Sequence, residues 1–308
     1  MAIPTSRTKE AATIDINSEL CNGCGLCVNV CKDFGIELVK GKAAVSPTPL
    51  FGCIGCGHCM AICPEGAIQI HGRYLESSDL FDLPSKPPSC NYEALFSLFQ
   101  KRRSIREFSS QLIEEKTIQQ ILDAALTAPM GIPPSDVHVL VIKGKQRVRS
   151  FSEDYCRYLY GMRWMVSGWF LTIMRPFWSK SNDELFRKFL KPLIHAFTGS
   201  VKNGIDLVTY DAPLAMYFYG SPYCDPADPI VAATYAMLAG ETLGLGTCML
   251  GGIHPMIQSG RKAAAFRKKH GIRFSSREGL FVIFGHPAVQ YKKGIRRTFA
   301  SVDILGER

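Results

Sequence analysis

Long apolar runs are missing from this chain of 308 residues. The most apolar stretch, Trp164 to Met174, is interrupted by Ser167 and Gly168 and stopped by Arg175, short of the ~20 residues that a membrane-spanning helix needs. The opening MAIPTSRTKEAATIDI holds no apolar block of signal-peptide length. The expectation is a cytoplasmic protein, with membrane contact disfavoured. Acidic residues are outnumbered, 27 Asp and Glu against 36 Lys and Arg, for a net charge of +9. That balance suits nucleic acid, an acidic protein partner or a bound anionic cofactor, and composition alone does not choose. The arrangement of the charges argues against nucleic acid. The densest basic stretch, RKAAAFRKKH from Arg261 to His270, reads as the solvated face of a helix and lacks the interleaved aromatics of a base-stacking platform. No constellation of Ser, Cys or His suggests covalent catalysis, and no catalytic side chain is assigned. A dinucleotide fingerprint is absent as well. Gly244, Gly246 and Gly251 lie close together, but a helical pattern precedes them, whereas the fingerprint needs strand, glycine loop and then helix. No nicotinamide site is expected.

Cysteine, by contrast, is plentiful, with twelve residues and eight of them in the first 63. They form two copies of one spacing, Cys21-x2-Cys24-x2-Cys27-x3-Cys31 and Cys53-x2-Cys56-x2-Cys59-x3-Cys63, the second followed by Pro64. This is ferredoxin spacing and predicts two [4Fe-4S] clusters. The fourth cysteine of each run is placed to ligate the other cluster, so Cys21, Cys24, Cys27 and Cys63 are assigned to one, and Cys53, Cys56, Cys59 and Cys31 to the second. Structural zinc prefers paired knuckles set well apart, and a disulfide framework is the weaker reading of a duplicated, evenly spaced run. Lys32 stands where the first run would usually carry proline, which bears on the turn and not on ligation. His58 shields a cluster in this reading. Cys90, Cys156, Cys224 and Cys248 share no ligand spacing and read as incidental or buried thiols.

The length leaves room for about two domains. Residues 1–75 form the cluster module, with β-type flanks TIDIN and AIQIHG. Residues 76–91, rich in Ser, Pro and Asp, read as an extended linker. From 92 to 308 strands and helices alternate: helical spacing in NYEALFSLFQKRRSI and EEKTIQQILDAALTAP, a strand at VHVLVIKG, a strand over Asp211–Gly220, an apolar helix over Asp228–Gly246 and a buried strand over Gly279–Pro287. A helical-looking segment, 149–204, carries all three tryptophans and reads as an insertion, most simply a lid or flank of the site.

KRRSIREF, Lys101 to Phe108, gathers guanidinium groups and a hydroxyl that suit a phosphate. With TAPMGIPPSDV from Thr127, GLGTCMLGG from Gly244 and GHPAVQYKKGIRR from Gly285 in that order, the chain resembles the FMN-dependent nitroreductase family over roughly residues 92 to 300. The resemblance implies an α+β fold, a nitroreductase-like FMN domain behind a ferredoxin-like one. It implies that Arg102, Ser104 and Arg106, with Arg103 beside them, hold the FMN phosphate and ribityl chain, and that Lys293 and Arg297 return to the phosphate. Pro129, Met130 and Gly131 would line the flavin ring, with Gly251 and Gly252 offering backbone N–H groups near it. Pro133, Ser135 and Val137 stand where the commoner family pattern has small polar residues, so backbone contacts carry more of the binding. His254 and His286 border these loops in a structural role. The resemblance also implies a homodimer whose flavin site lies across a two-fold interface.

Clusters exchange single electrons while a flavin stores two. The expected function is therefore an oxidoreductase that draws electrons from a ferredoxin-like or flavodoxin-like donor and reduces a small organic acceptor: a nitroaromatic, quinone or activated alkene. The alternative is an electron-transfer or flavin-handling protein whose acceptor is another protein.

Overall fold

Between the ligands of each cysteine run stand glycines in a backbone conformation that other residues rarely adopt. In the computed structural model, which describes residues 3–83 and 91–306, Gly23 and Gly55 have φ of 77° and 70°, and Gly25 and Gly57 follow at 73° and 75°. The matching left-handed turns open two short helices, α1 (Leu26–Val30) and α2 (His58–Ile62), so the duplication seen in sequence is repeated in backbone conformation. Around them, β1 (Thr13–Ile16) pairs antiparallel with β4 (Ile68–His71), and β2 (Ile36–Val39) with β3 (Lys42–Val45). The β2–β3 hairpin turns through Lys40 and Gly41, φ 50° and 75°, as a two-residue hairpin turn requires. Ile36, Met60, Ile68 and Ile70 are buried with Cys21, Cys27 and Cys59 in one small core.

The linker begins with a tight turn at Ser77–Asp79, closed by reciprocal bonds between Glu76 and Asp79. Residues 84–90, with Cys90, lie outside the described residues. The second domain then runs α3 (Tyr92–Lys101), α4 (Glu115–Leu126), β5 (Val137–Lys143), α5 (Lys145–Tyr160), α6 (Gly168–Met174), α7 (Lys180–Glu184), α8 (Lys191–Lys202), β6 (Leu214–Gly220), α9 (Ala227–Thr242), β7 (Gly246–Leu250), α10 (Arg261–Lys269) and β8 (Gly279–Gly285). Its antiparallel sheet has the order β5-β6-β8-β7.

The two central strands are buried on both faces, and their alternation divides the core. Leu214, Met216, Phe218, Val282 and Phe284 meet α4 and α9 on one side. Tyr217, Tyr219 and Phe281 meet α5 and its neighbours on the other. α9 ends as its glycines predict: Leu245 N–H bonds the Gly240 carbonyl at 2.9 Å and Gly244 N–H that of Glu241 at 3.2 Å, with Gly244 at φ 79°. This helix stop hands the chain directly to β7.

The expected inserted segment is narrower than 149–204. α5 straddles position 149, and its Phe151, Tyr155 and Leu159 are part of the domain core, so the excursion starts no earlier than Tyr160, and it is anchored in the same core by Val166 and Ile194. Its aromatics pack partly on each other, Trp178 against Phe186 at 4.3 Å, while Trp169 and Phe177 are 61% and 77% exposed.

Candidate functional site

The eight cysteines of the N-terminal runs separate into two groups of four. Cys21, Cys24, Cys27 and Cys63 line one small cleft beneath Ala43 and Ala67. Ala43 N–H points at Cys21 Sγ (3.4 Å) and Ala67 N–H at Cys63 Sγ (3.3 Å). The second group is Cys53, Cys56, Cys59 and Cys31. Burial pushes the Cys59 thiol up to about 12, and its neighbours Cys53, Cys56 and Cys31 push it the same way. Burial likewise raises Cys27, with Cys21 and Cys63 adding to it. Each group therefore combines three sulfurs from one run with the fourth from the other. Four soft sulfur donors about a shared cleft, two of them approached by amide N–H groups, fit the donor set of a [4Fe-4S] cluster. The other described cysteines, Cys156, Cys224 and Cys248, are buried and apart.

In the second domain the sequence-predicted residues fall at two ends of α9. Arg102 and Arg103 follow α3 and are half-buried. Arg102 Nη1 reaches Met237 Sδ at 4.0 Å, and its charge acts on Glu241. Ser104 bridges to Thr247 at the start of β7, and Ile105 N–H bonds the Thr247 carbonyl at 2.9 Å. Ile105 leaves no room for a side chain on Gly246, where a Cβ would stand 2.7 Å from Ile105 Cγ1. Arg106 lies over the Tyr210 ring at 5.5 Å. The C-terminal tail returns to this end: Ser109 N–H bonds the His286 carbonyl (2.8 Å), Ala288 N–H that of Glu107 (2.9 Å), and Gly294 sits beside the Arg103 guanidinium. Lys293 and Arg297 lie exposed on that tail.

Pro129, Met130 and Gly131 are exposed at the other end of α9. Gly131 N–H donates to the Asp228 carboxylate, 3.0 Å to Oδ1, and that carboxyl is raised from its ordinary value chiefly by burial. Asp228 and Met237 are nine residues apart on one helix, roughly 14 Å at ~1.5 Å per residue. A single chain thus does not bring 129–131 onto Arg102–Arg106.

Gly251 and Gly252 follow β7. Gly251 is exposed, and a side chain there would meet nothing within 4 Å. Gly252 is fixed by its carbonyl, which accepts from Tyr155 Oη at 2.9 Å, and lies near Leu193 of α8. An apolar cleft of about 180 Å³ lies between the excursion and the turn at Pro255, lined by Met162, Met165, Phe186, Leu190, Pro255 and Met256. His254 is buried, with Nδ1 2.9 Å from Tyr217 Oη. Burial holds its pKa below the ordinary histidine value, in keeping with a structural role.

Sequence reasoning missed the residues that join the domains. Ser6 donates from N (2.8 Å) and Oγ (2.6 Å) to the buried Asp136 carboxylate, which also accepts from Ser221 Oγ (2.8 Å). Arg73, 5% exposed, directs its guanidinium at four backbone carbonyls. A lone arginine after Gly72 and a serine near the N-terminus gave no periodic or motif signal.

Comparison with known proteins adds two family matches. The chain matches the nitroreductase family over residues 99–286 and a 4Fe-4S dicluster domain over residues 20–68. It is 25% identical over 151 residues to the FMN reductase (NAD(P)H) of Bacillus subtilis (strain 168), covering 49% of this chain and 51% of that protein. The chain thus spans about half the length of that curated relative. Among solved structures it is similar to a nitroreductase with bound FMN from Desulfitobacterium hafniense DCB-2, at 20% identity and TM-score 0.49, covering 68% of this chain and 97% of the other. A nitroreductase with bound FMN from Bacteroides fragilis NCTC 9343 is similar at 16% identity and TM-score 0.49, covering 69% and 98%. Among the described residues, no helix is long and apolar enough to cross a membrane.

Proposed function

Since the chain belongs to the nitroreductase family and carries a 4Fe-4S dicluster domain ahead of it, we propose that this FMN-dependent oxidoreductase takes single electrons from a reduced ferredoxin-like or flavodoxin-like protein and passes them to a small organic acceptor. The acceptor class is a nitroaromatic, quinone or activated alkene. The observation that carries this reading is the grouping of eight cysteines into two sets of four within a module seated on the flavin domain. Clusters supply one-electron exchange, and bound FMN supplies two-electron reduction of the acceptor.

The chain's own residues bind and orient. Cys21, Cys24, Cys27 and Cys63 hold one cluster, and Cys53, Cys56, Cys59 and Cys31 the other. Arg102, Arg103, Ser104, Arg106, Lys293 and Arg297 offer cations and a hydroxyl to the FMN phosphate and ribityl chain. Gly251, open above its backbone, allows close approach to the flavin. Because Pro129, Met130 and Gly131 lie at the far end of α9 from Arg102, a second copy of the chain supplies them, and the protein works as a homodimer. The excursion after Tyr160 flanks the acceptor with its apolar cleft.

The +9 charge draws in an acidic donor, so the donor-driven rate falls as salt screens the attraction. The test is Cys63→Ser. Donor-driven turnover collapses, while FMN stays bound and still reduces the acceptor after direct chemical reduction. The name of the B. subtilis relative makes NAD(P)H the rival donor. Rapid reduction of the flavin by NADPH in cluster-free protein, or full donor-driven activity in Cys63→Ser, overturns the proposal.

A further inference from the structure

The turn that follows β4 places one buried cation where three separate stretches of chain meet. Gly72, Arg73 and Tyr74 all have positive φ, 93°, 55° and 61°. For the two non-glycine residues this is a sparsely populated conformation that surrounding structure must hold in place. It aims the Arg73 side chain inward. Nε donates to the Ile54 carbonyl at 2.9 Å, and Ile54 lies between Cys53 and Cys56. Nη2 donates to the Pro133 carbonyl at 2.6 Å, in the loop that also carries Pro129, Met130 and Gly131. Nη1 donates to Ile3 (3.0 Å) and Glu10 (2.8 Å), which hold the N-terminal strap. The strap is fastened a second time by Ser6 on Asp136. The fit at the cluster loop is close, since a Cβ on Gly55 would stand 3.1 Å from Arg73 Cβ.

The first cysteine loop has no such link. Among the described residues, its side-chain bonds stay within the cluster module: Asn22 to Glu65 at 3.1 Å, and Lys42 to the Cys21 carbonyl. The two cluster sites are therefore unequal in what they face.

We propose that Arg73 is the positioning residue that joins the two redox modules, and that the cluster site of Cys53, Cys56, Cys59 and Cys31 is the one seated against the flavin domain. This deepens the relay reading above and rests on it. The site of Cys21, Cys24, Cys27 and Cys63 is then the outer one, where an external donor delivers its electrons. Arg73 itself takes part in no bond making or breaking. It acts by geometry, fixing loop 53–56 to loop 133–136, and by charge, because a buried cation beside the inner site favours the more negative, reduced state of whatever that site holds.

Two measurements on the intact, anaerobic holoprotein test this: an EPR-monitored redox titration that resolves the two cluster waves, and stopped-flow flavin reduction by a reduced two-[4Fe-4S] ferredoxin. Arg73→Gln moves one wave to lower potential, by about tenfold in its equilibrium constant or ~59 mV for a one-electron couple, and leaves the other in place. Lys42→Gln moves the other wave. Flavin reduction in Arg73→Gln slows by about tenfold or more, as misplacement of reacting centres does. Arg73→Lys retains the charge but not the four-carbonyl geometry, so its wave stays near the wild-type position while flavin reduction still slows. Ser6→Ala removes the hydroxyl bond to Asp136 while keeping every charged side chain, and so also slows flavin reduction with both waves unmoved. Should Arg73→Gln not fold, the last two variants decide. The assignment is overturned if Arg73→Gln moves both waves alike or neither, or if Arg73→Lys and Ser6→Ala reduce flavin at the wild-type rate. Failure of the relay itself looks different: reduced clusters in the wild-type protein then leave the flavin oxidised.

Discussion

Asp206 shows how a single buried carboxylate fixes the return from the excursion to the sheet. It accepts from Ser152 Oγ (2.5 Å), Val208 N–H (3.0 Å), Thr209 N–H (2.9 Å), the Thr209 hydroxyl and Asp211 N–H (3.1 Å). Burial alone would raise its pKa, but these donors, Ser152 and Thr209 first, hold it below the ordinary carboxylate range. Asp206→Ala strands the donors and is expected to cost about 3 kcal/mol, read by chemical denaturation at neutral pH. His254 has the opposite chemistry. Its pKa is lowered by burial, so below the ordinary value of about 6.5 the unfolded chain gains a proton that the folded one refuses. Stability should decline as pH falls from about 6.5 towards the lowered folded value, and His254→Gln should flatten that decline in melts at pH 7 and pH 5.5. Gly23 decides a different property. A Cβ there would stand 2.1 Å from the Gly41 carbonyl oxygen, at a φ that side chains resist. Gly23→Ala should displace the first cysteine loop, and iron analysis should return about half of the eight atoms expected for two clusters.

Among the secondary-structure elements, legibility followed periodicity and length. The strands at 137–143, 214–220 and 279–285 and the helices at 92–101, 115–126 and 227–242 stand close to where apolar spacing put them, although the helix at 92–101 buries none of its residues within the chain. The glycines after α9 were readable as a helix stop because that signal is local. α5 was read only as part of a helical-looking insertion and its place in the core was missed, because KQRVRSFSEDYCRYLY is polar on average and hides Phe151, Tyr155 and Leu159 on one face. The β2–β3 hairpin escaped notice because four-residue strands such as KAAV carry little β signal. The dicluster domain was legible because ligation imposes a spacing on its cysteines. Arg73, Ser6 and Asp136 were not, because backbone carbonyls and single hydroxyls can be met by any part of a fold.

For the whole molecule, the separation of the proposed flavin contacts along α9 makes a prediction about assembly. A chain with Arg102→Glu and a chain with Gly131→Trp each lose flavin, since the latter crowds Asp225, whose Cβ is 3.1 Å from a Cβ at position 131. Refolded together in equal amounts, they should recover about a quarter of the wild-type FMN sites, because only mixed dimers hold one intact site. Flavin content after removal of unbound FMN measures this, and no recovery would mean that the site is complete within one chain.

The order of the chain also matters while the protein is being made. Arg73 leaves the ribosome 60 residues ahead of Pro133, the carbonyl it must find in the second domain. At synthesis rates of ~5–20 residues per second, the wait lasts about 3–12 s. For that interval the face of the cysteine module destined to be covered is open to solvent. It is therefore open to iron delivery before the second domain covers it.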